Sequence, residues 1–296
     1  MLKRIIPIFP ILSGILWGAA GIFVRKSIDL GMNNITIVSS KMIIAVIVMF
    51  ISILIYKKEL IKIKVKDIFM FISAGIVGMF GINIFFNESV KYLSLSLAAV
   101  LLSLSPVFVV LLSYFFYKEK ITLIKIISII LAFIGCVFVS NVLYSDVRLS
   151  LWGVASGLLC ALSYALYTII SRKAINKGYN SLTITLYAFI FISIVTIPFA
   201  DWNTVAYLIK EYKVSVSIFI IMHSILVLIL PYLFYTISLN HMDAGKASIL
   251  ASCEPAASTI FGVIFFNEIP TILSVFGIIL TIVALILLSM PNKKNN

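Results

Sequence analysis

Ten apolar segments of about twenty residues follow one another along this chain and occupy most of its 296 residues. A helix of about 20 residues, at 1.5 Å per residue, crosses the roughly 30 Å hydrocarbon core of a bilayer. Strands of a membrane barrel would alternate apolar and polar residues over about ten positions, and the sequence shows no such pattern. The segments therefore predict an all-α membrane protein with ten transmembrane helices, at roughly 5–25, 35–56, 67–87, 95–117, 121–142, 150–171, 181–200, 215–237, 245–266 and 270–290.

The composition supports a membrane protein and argues against a nucleic-acid-binding one. Hydrophobic residues make up 62% of the chain and charged residues 11%, whereas a soluble domain is roughly half apolar and a quarter charged. The net charge of +12 is carried mainly by the connections between apolar segments. The densest basic cluster, Tyr56–Asp67, is too short to form a nucleic-acid-binding domain, so we expect no nucleic-acid partner.

The distribution of basic residues predicts the orientation in the membrane. With the N-terminus inside, sixteen of the 23 Lys and Arg fall on the inner side and seven on the outer side. Cytoplasmic connections carry such an excess, and an even number of segments then places both termini in the cytoplasm. We expect an integral protein of the plasma (inner) membrane. The first segment has small residues where a signal peptide would be cleaved, but its pattern recurs in mid-chain, where no cleavage signal acts.

The two halves of the chain repeat each other. The stretch "RKSIDLGMN" (Arg25–Asn33) matches "RKAINKGYN" (Arg172–Asn180) at five of nine positions, 147 residues apart. Residues 98–140 align without a gap on residues 247–289, which pairs Pro106 with Pro255 and Glu119 with Glu268. Each half contains five segments, an odd number, so the second must enter the membrane from the opposite side. The sequence predicts two inverted five-helix repeats, residues 1–144 and 145–296, an arrangement typical of secondary transporters.

Three stretches carry a family resemblance: "ILWGAAGIFVRKSIDLG", "VKYLSLSLAAVLLSLSPVFVVLLSYFFYKEKIT" and "MDAGKASILASCEPAASTIFGVIFFNEIPT". With them the chain resembles the drug/metabolite transporter superfamily, in particular its EamA-type ten-helix members, from about Ile11 to Leu288. The resemblance implies a ten-helix fold and transport of a small metabolite. It does not select among the amino acids, amines, nucleobases and sugars with which similar proteins are associated.

Glu254 and Pro255 form the most unusual pair inside an apolar segment. Counted from the start of the ninth segment, Glu254 lies about 14 Å deep, where an ionised carboxylate facing lipid costs roughly 2 to 3 kcal/mol or more. We expect Glu254 to line a central cavity and either bind an amine or other cation of the substrate or take up a coupling proton. The alternative is a protonated carboxyl that bonds to a backbone carbonyl. Pro255 and its counterpart Pro106 are predicted to kink their helices.

Further polar residues inside the segments are candidate substrate contacts. His223 lies near mid-depth and is a second candidate for proton coupling, although a neutral histidine bonded to a neighbouring helix is the simpler interpretation. Asn83 and Asn87, four residues apart, share one side of the third segment. They are either substrate contacts near the outer end or interfacial residues that cap the helix.

Five aromatic residues are candidate walls of the cavity, where they would stack on a ring or hold a cation. Trp17 and Tyr164 occupy equivalent positions in the two halves, and Tyr167, Tyr187 and Tyr232 complete the set. Ordinary packing and the aromatic belt at the interface are the alternatives for each of them.

The sequence contains no motif for catalysis, metal binding or ATP hydrolysis. HExxH, GxSxG and GxxxxGK[ST] are all missing, and two histidines are too few for a His-based metal site. The cysteines, Cys136, Cys160 and Cys253, lie in apolar segments and are predicted to be buried neutral thiols. We therefore expect neither an enzyme nor a cofactor.

The predicted function is secondary transport, as an exporter or exchanger, of a small polar metabolite by alternating access. An amino acid or amine is favoured because Glu254 offers a counter-charge, and proton coupling is an option. Sugars, nucleotide sugars and choline-like compounds are the alternative substrates, and an intramembrane enzyme is the alternative class. The expected partners are the substrate and membrane lipid, while the choice between monomer and homodimer stays open.

Overall fold

The computed structural model describes residues 6–93, 95–140, 142, 150–212, 214–267 and 269–289. Helices dominate, and no strand occurs within these ranges. In chain order they are α1 (Ile8–Asp29), α2 (Asn34–Ile61), α3 (Val65–Tyr92), α4 (Leu97–Tyr117), α5 (Leu123–Val139), α6 (Leu151–Asn176), α7 (Ser181–Phe199), α8 (Trp202–Tyr212), α9 (Val214–Ser238), α10 (Ala244–Phe266) and α11 (Ile272–Leu288).

The ten predicted segments are all present as helices. Eight of them, every one except α5 and α11, are long and apolar enough to cross a membrane, while α5 and α11 are shorter apolar helices. The all-α membrane fold is thereby confirmed. The predicted boundary between residues 144 and 145 lies outside the described residues, as do Lys3, Arg4, Arg148, Lys213, Glu268, Lys293 and Lys294.

The local geometry of the two halves repeats in detail. Residues Ala74–Phe80 of α3 form a π-helical stretch, and so do Ser224–Ile229 of α9, about 149 residues later. Gly31 and Gly178 each follow the first helix of their half with φ of +85° and +88°, a conformation that glycine adopts without steric cost. These irregularities occur at equivalent positions and indicate that the two halves have the same local backbone structure.

The fourth helix of each half is interrupted at the same place. In α4 a first helical stretch ends at Leu102, before a second stretch, Ser105–Tyr117. In α10 the stretch Ala244–Ala251 is followed by Glu254–Phe266. Each helix therefore consists of two half-helices.

Helices at equivalent positions in the two halves contact each other, α4 with α10 and α5 with α11. The residue Glu119, just after α4, accepts hydrogen bonds from the first backbone N–H groups of α10. The C-terminal end of α4 thus lies at the N-terminal end of α10. The breaks of the two helices also lie close together, since Ser105 and Ser252 line one cavity, so the two helices run in opposite directions. Beside them α5 and α11 approach closely, since a Cβ on Gly135 would lie 2.8 Å from the Gly277 carbonyl oxygen.

The short helix α8 was not predicted. The helix begins after Asp201, whose carboxylate accepts hydrogen bonds from the backbone N–H and the hydroxyl of Thr204. These bonds hold the pKa of Asp201 below its usual value. Val205 and Leu208 are buried while Tyr207 is exposed. A helix of eleven residues with a single apolar face is too short and too polar to be recognised as a membrane segment, so the sequence pattern does not predict α8.

Candidate functional site

A cavity of about 290 Å³ lies between the breaks of α4 and α10. Helices α3, α4, α5, α6 and α10 contribute its walls, so both halves of the chain take part. Seven aliphatic hydroxyls line it: Ser103, Ser105, Ser140, Ser248, Ser252, Ser258 and Thr259. They are joined by Phe86, Ala99, Leu102, Cys136, Val139, Tyr164, Ala251, Glu254 and Pro255. The polar lining in an apolar bundle identifies this cavity as the candidate binding site.

Glu254 is the one charged residue among the described residues of this lining. It is half-buried and stands at the first position of the half-helix Glu254–Phe266, whose N-terminal end carries partial positive charge and stabilises an anion there. Within the described ranges its carboxylate has no hydrogen-bond or ion-pair partner. A membrane-depth carboxylate without a protein partner is available for a ligand or a proton.

The prolines occupy the helix breaks. Pro255 and Pro106 each lie in the first turn of the second half-helix. Because proline has no N–H, Pro255 cannot donate to the carbonyl of Ala251, which lines the cavity. The last backbone bond before the break runs from the Ser252 N–H to the Ile249 carbonyl. The same chemistry recurs in α4, so the scaffold is duplicated while the acid is present in one half only.

Four of the five predicted aromatic residues form one cluster beside the cavity. The Trp17 ring lies 6.1 Å from Tyr164 and 5.2 Å from Tyr232, and Tyr232 lies 5.4 Å from Tyr167. Of these, Tyr164 lines the cavity. Tyr167 is fully buried and its hydroxyl lies 3.3 Å from that of Thr236, so it serves packing.

Two residues that the sequence did not place at the site, Tyr235 and Cys136, belong to the site or its support. Tyr235 is fully buried, lies 5.6 Å from Trp17 and bonds to the Thr168 hydroxyl at 2.9 Å. Its spacing of three residues from Tyr232 is the signal that would have placed both on one side of α9. Cys136 lines the cavity, and all three cysteines are buried and unpaired, as predicted.

Tyr187 and His223 lie away from the cavity. The Tyr187 hydroxyl donates to the carbonyl of Ile61, the last residue of α2, at 2.7 Å, and the Tyr187 ring contacts Phe71 of α3. His223 is 2% exposed and stacks on Phe23 with the ring centroids 5.0 Å apart. Its Nε2 finds no hydrogen-bond partner in the part of the chain that the structure describes.

The asparagines of α3 also miss the cavity wall. Asn83 donates to the Met79 carbonyl at 2.8 Å, one turn earlier in its own helix. Neither Asn83 nor Asn87 lines the cavity, although Phe86 between them does. The structure therefore places α3 at the site through an aromatic residue.

A second hollow, of about 160 Å³, adjoins the cavity toward one end of the bundle and shares Val139, Ser258 and Thr259 with its lining. Arg25 lines this hollow, with its guanidinium 4.5 Å from the centre of the Phe266 ring. No group of three or more potential metal ligands occurs among the described residues.

Comparison with known proteins matches this chain to the EamA-like transporter family, over residues 4–141 and again over residues 151–290. An uncharacterized transporter of Archaeoglobus fulgidus is 30% identical over 261 residues, 88% of this chain and 90% of the relative. The uncharacterized transporter YxxF of Bacillus subtilis is 28% identical over 81% of this chain and 76% of its own length. One solved crystal structure superposes with a TM-score of 0.77 at 14% identity over 95% of both chains, which shows a shared fold. The chain is therefore a membrane transporter of the EamA-like family, within the drug/metabolite transporter superfamily that its sequence resembles.

Proposed function

We propose that the protein is a secondary transporter that carries a small amine or amino acid by alternating access through the cavity at Glu254. The observation that carries the proposal is the carboxylate of Glu254, which has no partner among the described residues and is the one charge in a described lining that contains seven aliphatic hydroxyls. A substrate ammonium group supplies the missing counter-charge, and the hydroxyls replace the water lost by the rest of the molecule.

An amino acid also has a place for its own carboxylate. Ser103 and Ser105 line the cavity at the start of the half-helix Ser105–Tyr117. Hydroxyl groups and a positive half-helix N-terminus both favour an anion, and discontinuous helices serve this purpose in other transporters. Nucleotide sugars fit less well because they carry phosphates, and the described lining contains no Lys, Arg or His.

The transport cycle that we propose exchanges the roles of two inverted repeats. The opposite directions of α4 and α10, together with five apolar helices in each half, support the inversion. Glu254 is also our candidate for proton coupling, because its carboxylate faces the cavity. His223 is not at the cavity and has no place in this scheme.

A thermal-shift screen of the purified protein tests the substrate class. We expect amino acids or amines to raise the melting temperature of the wild-type protein and to lose this effect with Glu254→Gln. Uptake into proteoliposomes, followed by mass spectrometry of the recovered compound, then distinguishes transport from chemical conversion. Equal stabilisation of the wild type and the variant by the same ligand contradicts a contact between substrate and Glu254. Choline and neutral sugars complete the screen as the competing substrate classes.

The proposed location is the inner membrane with both termini in the cytoplasm. We expect a fluorescent protein fused to the C-terminus to be bright and alkaline phosphatase fused there to be inactive, because phosphatase folds only after export. The same pair of fusions in the connection between α1 and α2, at Gly31, should give the opposite pattern. An active phosphatase at the C-terminus would overturn the orientation.

A further inference from the structure

We propose that Glu119 is a gating residue of the transport cycle, and that its carboxylate holds the cavity closed at the predicted cytoplasmic end. This inference rests on the proposed alternating access. The sequence pairs Glu119 with Glu268 and suggests only a polar turn between helices. The structure assigns Glu119 a different place, because its side chain is 8% exposed and crosses from the first half of the chain to the second.

Glu119 caps the N-terminus of α10. Its Oε1 accepts a hydrogen bond from the Ala244 N–H at 2.9 Å, and its Oε2 accepts one from the Gly245 N–H at 3.3 Å. The first N–H groups of a helix have no partner within the helix and carry its positive end, so a carboxylate bonds to them strongly. The cap belongs to the first half and the capped helix to the second, so the bonds join the two halves.

A buried lysine reinforces this junction. Lys125 of α5 is 7% exposed at its side chain, and its Nζ lies 3.0 Å from Asp243 Oδ2. The same Nζ donates to the Lys120 carbonyl at 3.1 Å and lies 3.9 Å from Glu119 Oε2. Lys125 therefore places one positive charge between the two acids and also holds Asp243, the residue before α10.

The capped half-helix separates the junction from the cavity. It runs from Ala244 to Ala251, so that one end meets Glu119 while Ser248 and Ala251 line the cavity. Ile249 and Leu250 on the same half-helix are completely buried. A path from the cavity to this end of the bundle requires the half-helix to move, and that movement breaks the bonds to Glu119.

At the opposite end, the cavity adjoins a second hollow. There the hollow that holds Arg25 shares Val139, Ser258 and Thr259 with the cavity. On the Glu119 side, a hollow of about 530 Å³ is lined by Glu119 and Asp243 but shares none of its described lining residues with the cavity, and the capped half-helix lies between them. We assign this state to the outward-facing part of the cycle, with the Glu119 cap as the contact that must be released for the inward-facing part.

Side-specific labelling of a cysteine in the cavity tests the gate. The reporter is Ser103→Cys in a full-length chain whose three native cysteines, Cys136, Cys160 and Cys253, are replaced by Ala. A membrane-impermeant methanethiosulfonate is applied to right-side-out and inside-out vesicles. Relative to the chain with Glu119, we expect Glu119→Gln to accelerate labelling from the cytoplasmic side at least about tenfold and to slow labelling from the outside. Glu119→Asp, which keeps the charge, should restore part of the outward preference.

Two further variants separate gating from damage to the fold. Glu59→Gln removes an exposed carboxylate from the last turn of α2, and we expect no change in labelling from either side. Asp243→Asn leaves Glu119 in place and removes the charge of the more exposed partner of Lys125. Labelling from the cytoplasmic side should therefore accelerate as it does with Glu119→Gln, but by a smaller factor. If Glu119→Gln does not fold, this variant decides the question.

The gate is overturned if the folded Glu119→Gln and Asp243→Asn proteins both keep the wild-type preference for labelling from the outside. It is also overturned if Glu59→Gln produces the same shift as Glu119→Gln. Labelling needs no substrate, so these results are independent of ligand binding at Glu254. A normal shift in a protein that binds no amine or amino acid would instead contradict the proposed substrate class and leave the gate intact.

Discussion

Replacing Glu254 by Gln is expected to reduce transport about 30-fold or more while leaving the folded protein intact. The amide keeps the size of the side chain and removes its charge. Loss of one partner from a desolvated, hydrogen-bonded charge pair costs about 2 kcal/mol or more, and 1.4 kcal/mol corresponds to a factor of ten. Since the carboxylate has no protein partner in the described ranges, folding has no ion pair to lose. Initial uptake rates in proteoliposomes and the melting temperature of the same preparation measure the two effects.

Glu254→Asp and Glu211→Gln are the controls for this prediction. The first retains the charge and should retain part of the activity, while the second removes an exposed carboxylate of α8 and should have no effect. If Glu254→Gln binds ligand normally and loses only its response to a pH gradient, Glu254 carries the proton and does not contact the substrate. Wild-type uptake together with a full response to the pH gradient would contradict both roles.

The membrane fold could be predicted from the sequence because lipid imposes one strong constraint. Every backbone polar group must be satisfied within the membrane, so long apolar segments become helices. Local signals then mark the ends, as at Asn33 and Asn180, whose side chains cap α2 and α7. The π-helical stretches of α3 and α9 carry no such local signal. In α3 the stretch contains Gly78, where a Cβ would lie 2.8 Å from Tyr167 Cβ, so the neighbouring helix is part of its explanation.

The depth of a site residue was easier to predict than the direction it faces. Glu254 can be singled out from the sequence because a charge at mid-membrane must avoid lipid, whichever side of the helix it occupies. His223 and Tyr187 have suitable depth or chemistry, but helices that are apolar on all sides give no amphipathic pattern to show which residues face the cavity. Glu119 was missed for a related reason, since a carboxylate in a turn looks exposed until the N-terminus of α10 is placed beside it.

Adding one methyl group at Gly14 is expected to destabilise the protein by about 1–3 kcal/mol, and more if the helices cannot shift. A Cβ on Gly14 of α1 would overlap the carbonyl oxygen of Ala251 and lie 2.5 Å from Cys253 Sγ, directly at the break of α10. The obstacle includes backbone, which cannot rotate away as a side chain can. Alanine is a better helix former than glycine, so any loss of stability reports the contact and not helix propensity.

Gly21 offers the matched control on the same helix, because a Cβ there would meet nothing within 4 Å. We expect Gly21→Ala to change stability by no more than about 0.5 kcal/mol, and a similar melting temperature for Gly14→Ala would contradict the close packing of α1 on α10. Transport adds a second readout. Because α1 belongs to the first half of the chain and the break belongs to the second, Gly14→Ala displaces the backbone that positions Glu254. A Gly14→Ala protein that folds should therefore lose substrate affinity, whereas Gly21→Ala should bind as the wild type does.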